Sequence, residues 1–253
     1  MSRFLMVEVE TLAAVLLLAL LNGASIGRVQ NAPAPLSGSR QLLLVVTDAW
    51  GARTGTLQRL ERAAPDAVWV GGARLPVVVG RNGLAWDPAA PDAPPSSPVK
   101  EEGDGRAPAG VFALGTSFGL AAQCPAGWRV PYRPLGDNVE CVTDVRSPLY
   151  NRLVTREEGG GALWERSEKM WREPLYVWGL VVGYNVGPVR PGGGSCIFLH
   201  AWDGPDSSTA GCTAMARDDL VETLGWLDPG KQPRLVQLPR SEYERLKSRW
   251  GLP

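Results

Sequence analysis

The sequence predicts a mainly β domain with a few helices, and three observations carry that prediction. Short apolar runs recur between clusters of glycine and proline, as in "QLLLVVTD", "LPVVVG" and "SCIFLHAW", the pattern of buried strands bounded by turns. Clear helical spacing is confined to two segments near the C terminus. A chain of 253 residues, 44% hydrophobic and 21% charged, is large enough to bury a full core. Many strands with few helices argue a mixed sheet.

Taken in order, the chain opens with the apolar run "LAAVLLLALL", Leu12 to Leu21, followed by "NGAS". A secretory signal has an apolar segment of this length, whereas a membrane span needs about 20 apolar residues. Glu8 and Glu10 offset Arg3, which is unusual ahead of a cleaved signal. Residues 1–24 are therefore read as a signal peptide or an N-terminal membrane anchor, and the protein is expected in the periplasm or cell envelope. Residues 25–40, "SIGRVQNAPAPLSGSR", lack periodicity and read as a linker. The folded domain is expected over residues 41–253. "QLLLVVTD" and "LPVVVG" are its first strands, and "GTLQRLERA" between them fits a helix or a strand. The proline-dense "WDPAAPDAPPSSPVKEEGDGRAPAG" is expected to be an exposed loop before the strand "VFALG". "PLYVWGLVVGYNV" and "SCIFLHAW" follow as strands. "ARDDLVETLGWLDPG" has acidic residues in its first turn, Leu220, Val221, Leu224 and Leu227 at helical spacing, and a Pro-Gly stop. "PRLVQLP" returns as a strand and "SEYERLKSRW" closes as a helix.

Charge and cysteine content exclude several functions. Twenty-six basic and twenty-six acidic residues cancel, so no overall field favours nucleic acid. Four cysteines without a CxxC pair, and one histidine, do not make a zinc site. In an oxidising compartment, Cys124 with Cys141 and Cys141 with Cys196 are equally admissible disulfides. Ser97 and Lys100 match S-x-x-K, but the companion motifs of penicillin-binding proteins are missing and the match is read as chance. "GDGRAPAG" lacks the ligand spacing of a calcium loop, and the glycines at 159–161 and 192–194 lack a phosphate-loop ending.

The single histidine, His200, ends a strand run twelve residues before Cys212. A loop of that length can return a thiol to an imidazole, which would act as its base, and Gly211 permits tight backbone beside it. An adjacent imidazole or a helix N-terminus would also favour the thiolate. By spacing alone, the simpler reading is a buried structural thiol and a satisfied imidazole. More of the chain supports the catalytic one. "HAWDGPDSSTAGCTAM" resembles the active-site motif of the L,D-transpeptidase catalytic domain family of bacterial cell-wall enzymes, "EEGDGRAPAGVFALG" its charged loop and following strand, and "VVGYN" with "GSCIFLH" its paired core strands. "GCTAM" is closer to a branch with a GC-x-AM motif, some of whose members resemble peptidoglycan amidases.

The resemblance implies an L,D-transpeptidase-like mixed β-sandwich with a helix after the catalytic cysteine, occupying residues 41–253. It implies Cys212 as nucleophile toward a peptidoglycan stem peptide, His200 as base, and the Ala201 carbonyl orienting the imidazole. The amides of Gly211 and Cys212 are implied as oxyanion donors. Trp202, Tyr184 and Arg106 are candidate substrate contacts: an indole for a glycan, a phenol in the cleft wall and a guanidinium for a stem-peptide carboxylate. No metal or organic cofactor is required, and a monomer is expected. Ala210, Ala201 and Ala214 depart from the commoner motif, where a second histidine, a glycine and an arginine or asparagine stand, so hydrolysis and a non-catalytic peptidoglycan-binding role remain as alternatives.

Overall fold

The computed structural model describes residues 35–90, 92–160 and 164–253. The expected signal or anchor, and the expected linker up to residue 34, lie outside them. Packing begins before Gln41: Leu36 is only 2% exposed and joins the main core, and the Arg62 guanidinium donates to the carbonyls of Leu36 and Ser39, each at 2.7 Å.

The protein is mainly β. β1 (Gln41–Thr47) is buried along its whole length, as an unbroken apolar run requires when both faces are covered. It pairs antiparallel with β2 (Thr54–Glu61) and parallel with β13 (Arg234–Pro239). The segment that fitted a helix or a strand is β2. Its buried residues Leu57 and Leu60 stand three apart because the β2–β3 register shifts between Gln58 and Leu60. Such a bulge inserts one residue into the alternation and imitates a helical period.

β3 is Val70–Val78, β4 Leu84–Trp86, β5 Ala107–Gly119 and β6 Tyr132–Pro134. β10 (Trp178–Val182), β11 (Phe198–Ala201) and β12 (Thr213–Met215) complete the large sheet. Its hydrogen-bonded path runs β10-β11-β12-β3-β2-β1-β13-β5, and β5 also pairs β10. The thirteen-residue β5 makes this possible, since residues 110–113 face β13 and residues 114–119 face β10. One continuous sheet thus curls back on itself around the core. A small antiparallel sheet of β7 (Glu140–Val142), β8 (Leu153–Val154) and β9 (Ser167–Lys169) stands apart from it.

Helices α1 (Arg217–Trp226) and α2 (Arg240–Trp250) cover the large sheet. α1 buries Leu220 and Leu224, and Leu227 is buried just past its end, while Val221 is only half-buried. Among the described residues, no helix is long and apolar enough to cross a membrane.

Much of the proline-dense loop is exposed or half-buried, as its composition predicts, but it is anchored to the fold. Trp86 and Lys100 are buried at its two ends and Asp92 within it. Asp92 accepts from the Trp250 indole at 2.8 Å and pairs with Arg249, fastening the loop to α2. Prolines remove backbone donors, so the few other residues of the loop carry its anchoring bonds.

Candidate active site

β11 and β12 are parallel neighbours, with His200 opposite Ala214 and Leu199 opposite Thr213. Cys212, immediately before β12, therefore lies beside Phe198. Side chains alternate between faces along a strand. Leu199, Ala201 and Met215 accordingly enter the main core, whereas Phe198 and Cys212 share a second cluster on the other face. That alternation puts His200 on the Cys212 face, two residues farther along the neighbouring strand. Strand spacing and rise set the two Cα atoms about 8 Å apart, a diagonal that side chains bridge. Both residues line one cleft of ≈ 340 Å³.

The local chain is closely held. Thr209 Oγ1 donates to the Cys212 carbonyl at 2.7 Å and accepts the Gly211 N–H at 3.1 Å. A Cβ on Gly211 would sit 3.0 Å from the Arg106 carbonyl, so this turn packs only with glycine. The Gly211 amide is thus committed to Thr209 rather than aimed at an oxyanion. Outside the strand ladders, no acceptor meets the Cys212 N–H among the described residues.

His200 Nδ1 lies 2.7 Å from the Ala201 carbonyl. A carbonyl only accepts, so Nδ1 carries the hydrogen and Nε2 is left as the basic atom. Burial pushes the imidazole pKa down, against the opposing pull of the Ala201 carbonyl, and keeps the ring neutral at rest. The Tyr176 ring meets His200 edge to face at 5.2 Å and fixes its plane.

The thiol is not the preformed thiolate that an adjacent imidazole or helix terminus would favour. β12 separates Cys212 from α1, so the thiol does not sit at the N-terminus of that helix. Burial pushes its pKa up to about 12 and the Glu168 carboxylate adds to the rise; the Phe198 N–H, Lys100 and the Tyr176 hydroxyl pull weakly the other way. Sγ accepts from the Phe198 N–H at 3.3 Å and donates to the Cys196 carbonyl at 3.4 Å. A neutral thiol and a neutral imidazole in one cleft would suit proton transfer during attack rather than before it.

The three candidate substrate contacts lie elsewhere. Tyr184 is a core residue, 1% exposed, donating to the Gly193 carbonyl and packed against Phe112. The Arg106 guanidinium donates to the Leu84 carbonyl at 2.9 Å, and Trp202 is half-buried with its backbone N–H on the Met215 carbonyl. None of the three lines the cleft. Other residues do so: Lys100, noted in the sequence only as part of a chance S-x-x-K match, and Glu102, Glu168, Glu173, Tyr176 and Thr209. Lys100 is buried and bonded to Asp104 at 2.7 Å. Glu102 accepts from Tyr150 and from Ser195. Ala210 is an exposed residue of the cleft, and Ala214 is buried opposite His200, so neither adds a polar group to the site.

The cysteines sort themselves by geometry. Cys141 and Cys196 form a disulfide with Cα atoms 6.0 Å apart, leaving Cys124 and Cys212 free. The bridge ties β7 to the segment entering β11, next to the Cys212 thiol.

No curated protein and no solved structure matches the chain. The L,D-transpeptidase catalytic domain family matches residues 67–236, a span that contains β11, β12, His200 and Cys212. With more than half its length so matched and mainly β architecture, the chain belongs to the L,D-transpeptidase catalytic domain family.

Proposed function

We propose that the protein is an exported enzyme of the cell envelope that acylates Cys212 with a peptidoglycan stem peptide and passes the acyl group to an amine, working as a monomer. The family acts on peptidoglycan peptides through a cysteine. The observation that carries the finer reading is the His200 tautomer, since Nε2 is the free base of a ring that shares its cleft with a buried thiol. The apolar N-terminal run and the Cys141–Cys196 disulfide both suit an oxidising compartment outside the cytoplasm.

In the acylation half, Sγ attacks the carbonyl carbon between the third and fourth stem residues while its proton passes to His200 Nε2. The Cys212 N–H stabilises the oxyanion. The carbon–nitrogen bond then breaks, the proton on Nε2 goes to the departing D-amino acid, and a thioester remains. An amine resolves it to a cross-link, and water in its place makes the protein a hydrolase.

The test is to incubate the full-length protein and Cys212→Ala with a disaccharide tetrapeptide and to read masses. Cys212-dependent loss of D-alanine with dimers or D-amino acid exchange is expected. Cys212-dependent release without transfer assigns the hydrolase. No change in the folded wild type overturns the catalytic reading in favour of a binding role.

A further inference from the structure

The cleft holds a carboxylate that no cation balances. Glu168 lies on β9 directly opposite Cys141 of β7, and the Cys141–Cys196 bridge fastens that strand pair over the floor of the cleft. Glu168 Oε1 accepts from the Tyr176 hydroxyl at 2.6 Å, and Tyr176 in turn packs on His200. Among the described residues, no donor reaches Oε2 and no lysine or arginine pairs with the carboxylate. The cleft's one lysine, Lys100, is already held by Asp104 and the Glu101 carbonyl. Glu173 accepts from the Leu175 N–H through Oε1, and Glu102 accepts from Tyr150 and Ser195 through Oε2, so each of the three cleft carboxylates keeps one oxygen without a donor among the described residues. Of the three, Glu168 is the carboxylate coupled to the reacting pair, through the Tyr176 hydroxyl and the Tyr176–His200 contact, in the chamber that contains Cys212 and His200.

We propose that Glu168 is the acceptor-side group of this site: it binds the protonated amine of the incoming acyl acceptor and takes one of its protons before the amine attacks. The proposal rests on the Cys212 thioester chemistry argued above. An ammonium has no lone pair to attack with, so an enzyme that uses a cationic amine must first remove a proton. Burial raises the Glu168 pKa above the ordinary carboxylate range, which makes it a better proton acceptor near neutral pH. The first proton passes from the ammonium to Glu168 and then to solvent. The nitrogen lone pair forms the new C–N bond, the C–S electron pair returns to Sγ, and the second proton moves through His200 to the thiolate. The products are an amide, the free thiol and one released proton.

The experiment reads a partition, so it does not depend on how fast the thioester forms. Full-length wild type, Glu168→Gln and Glu168→Asp are given a tetrapeptide donor with a mixture of a D-amino acid amide, whose amine is protonated, and hydroxylamine, which is uncharged near neutral pH. Mass spectrometry gives the ratio of amide to hydroxamate product. In Glu168→Gln that ratio is expected to fall on the order of 10- to 100-fold, and in Glu168→Asp, which keeps the charge, to recover most of it. An unchanged ratio in Glu168→Gln, or an equal fall in both variants, overturns the proposal, as does failure of both variants to form a thioester that the wild type forms. A wild type that forms no Cys212 thioester sinks the catalytic reading itself, a result distinguishable from the others.

Discussion

Cys212 and His200 rest as a neutral pair, and this sets their pH behaviour. The imidazole pKa lies below its ordinary 6.5 and the thiol near 12, so across neutral pH the base is ready and the nucleophile is still protonated. His200 loses its base function only as pH falls through its lowered value. Acyl transfer from a tetrapeptide is therefore expected to show an acidic limb in kcat/KM with a midpoint below 6.5, which a pH–rate profile checks. Iodoacetamide should alkylate resting Cys212 far more slowly than an ordinary thiol, by on the order of a thousandfold at neutral pH, because thiolate fraction sets the rate. Peptide mapping with Cys124 as the internal reference reads this directly; rapid alkylation of Cys212 would show that the resting thiol is ionised.

The small sheet of β7, β8 and β9 depends on a buried acid. Glu140 accepts from the Trp164 indole at 2.6 Å, Ser167 at 2.5 Å and Lys169 at 2.5 Å. Burial opposes its ionisation, but the bonds from Lys169, Ser167 and Trp164 outweigh burial and hold the carboxyl at about 2 against an ordinary 4.5. A depressed folded-state value means that the stabilisation is complete above 4.5 and is lost as pH falls toward 2. Glu140→Gln should cost about 2 kcal/mol at neutral pH, since it leaves Lys169 and the donors short of an anion. The same substitution should flatten the decline in stability between pH 4.5 and 2, as urea titrations at several pH values would show. β9 carries Glu168, so this element also places the carboxylate proposed for the acceptor side.

At the scale of the molecule, the Cys141–Cys196 bridge closes a loop of 55 residues and joins the small sheet to the large one beside the thiol. A loop of that length confers about 4 kcal/mol by limiting the unfolded chain. The double variant Cys141→Ser/Cys196→Ser should lose roughly that much in equilibrium denaturation. If acceptor choice depends on the seat of Glu168, the amide-to-hydroxamate ratio should fall in the double variant as well. A stability within 1 kcal/mol of wild type, in order-of-magnitude terms, would show that the sheets hold together without the bridge.

The sequence by itself determined the strands with unbroken apolar runs, such as β1 and β11, the helix after the catalytic motif, and the His200–Cys212 motif, because these signals are local in the chain. It left β2 open between helix and strand, since a bulge displaces the alternation by one residue, and it did not show how the proline-dense loop is anchored, because Asp92 is held by a helix more than 150 residues away in the chain. Tertiary structure alone chose between the two admissible disulfides and withdrew Tyr184 and Arg106 into structural roles. It alone brought Tyr176 and Glu168 into the cleft. The motif places His200 and Cys212 on one face because strand register carries them there. The groups that tune and feed the reaction come from segments with no spacing signal, joined to it by a cross-link and by burial, and burial is what keeps the thiol neutral at rest.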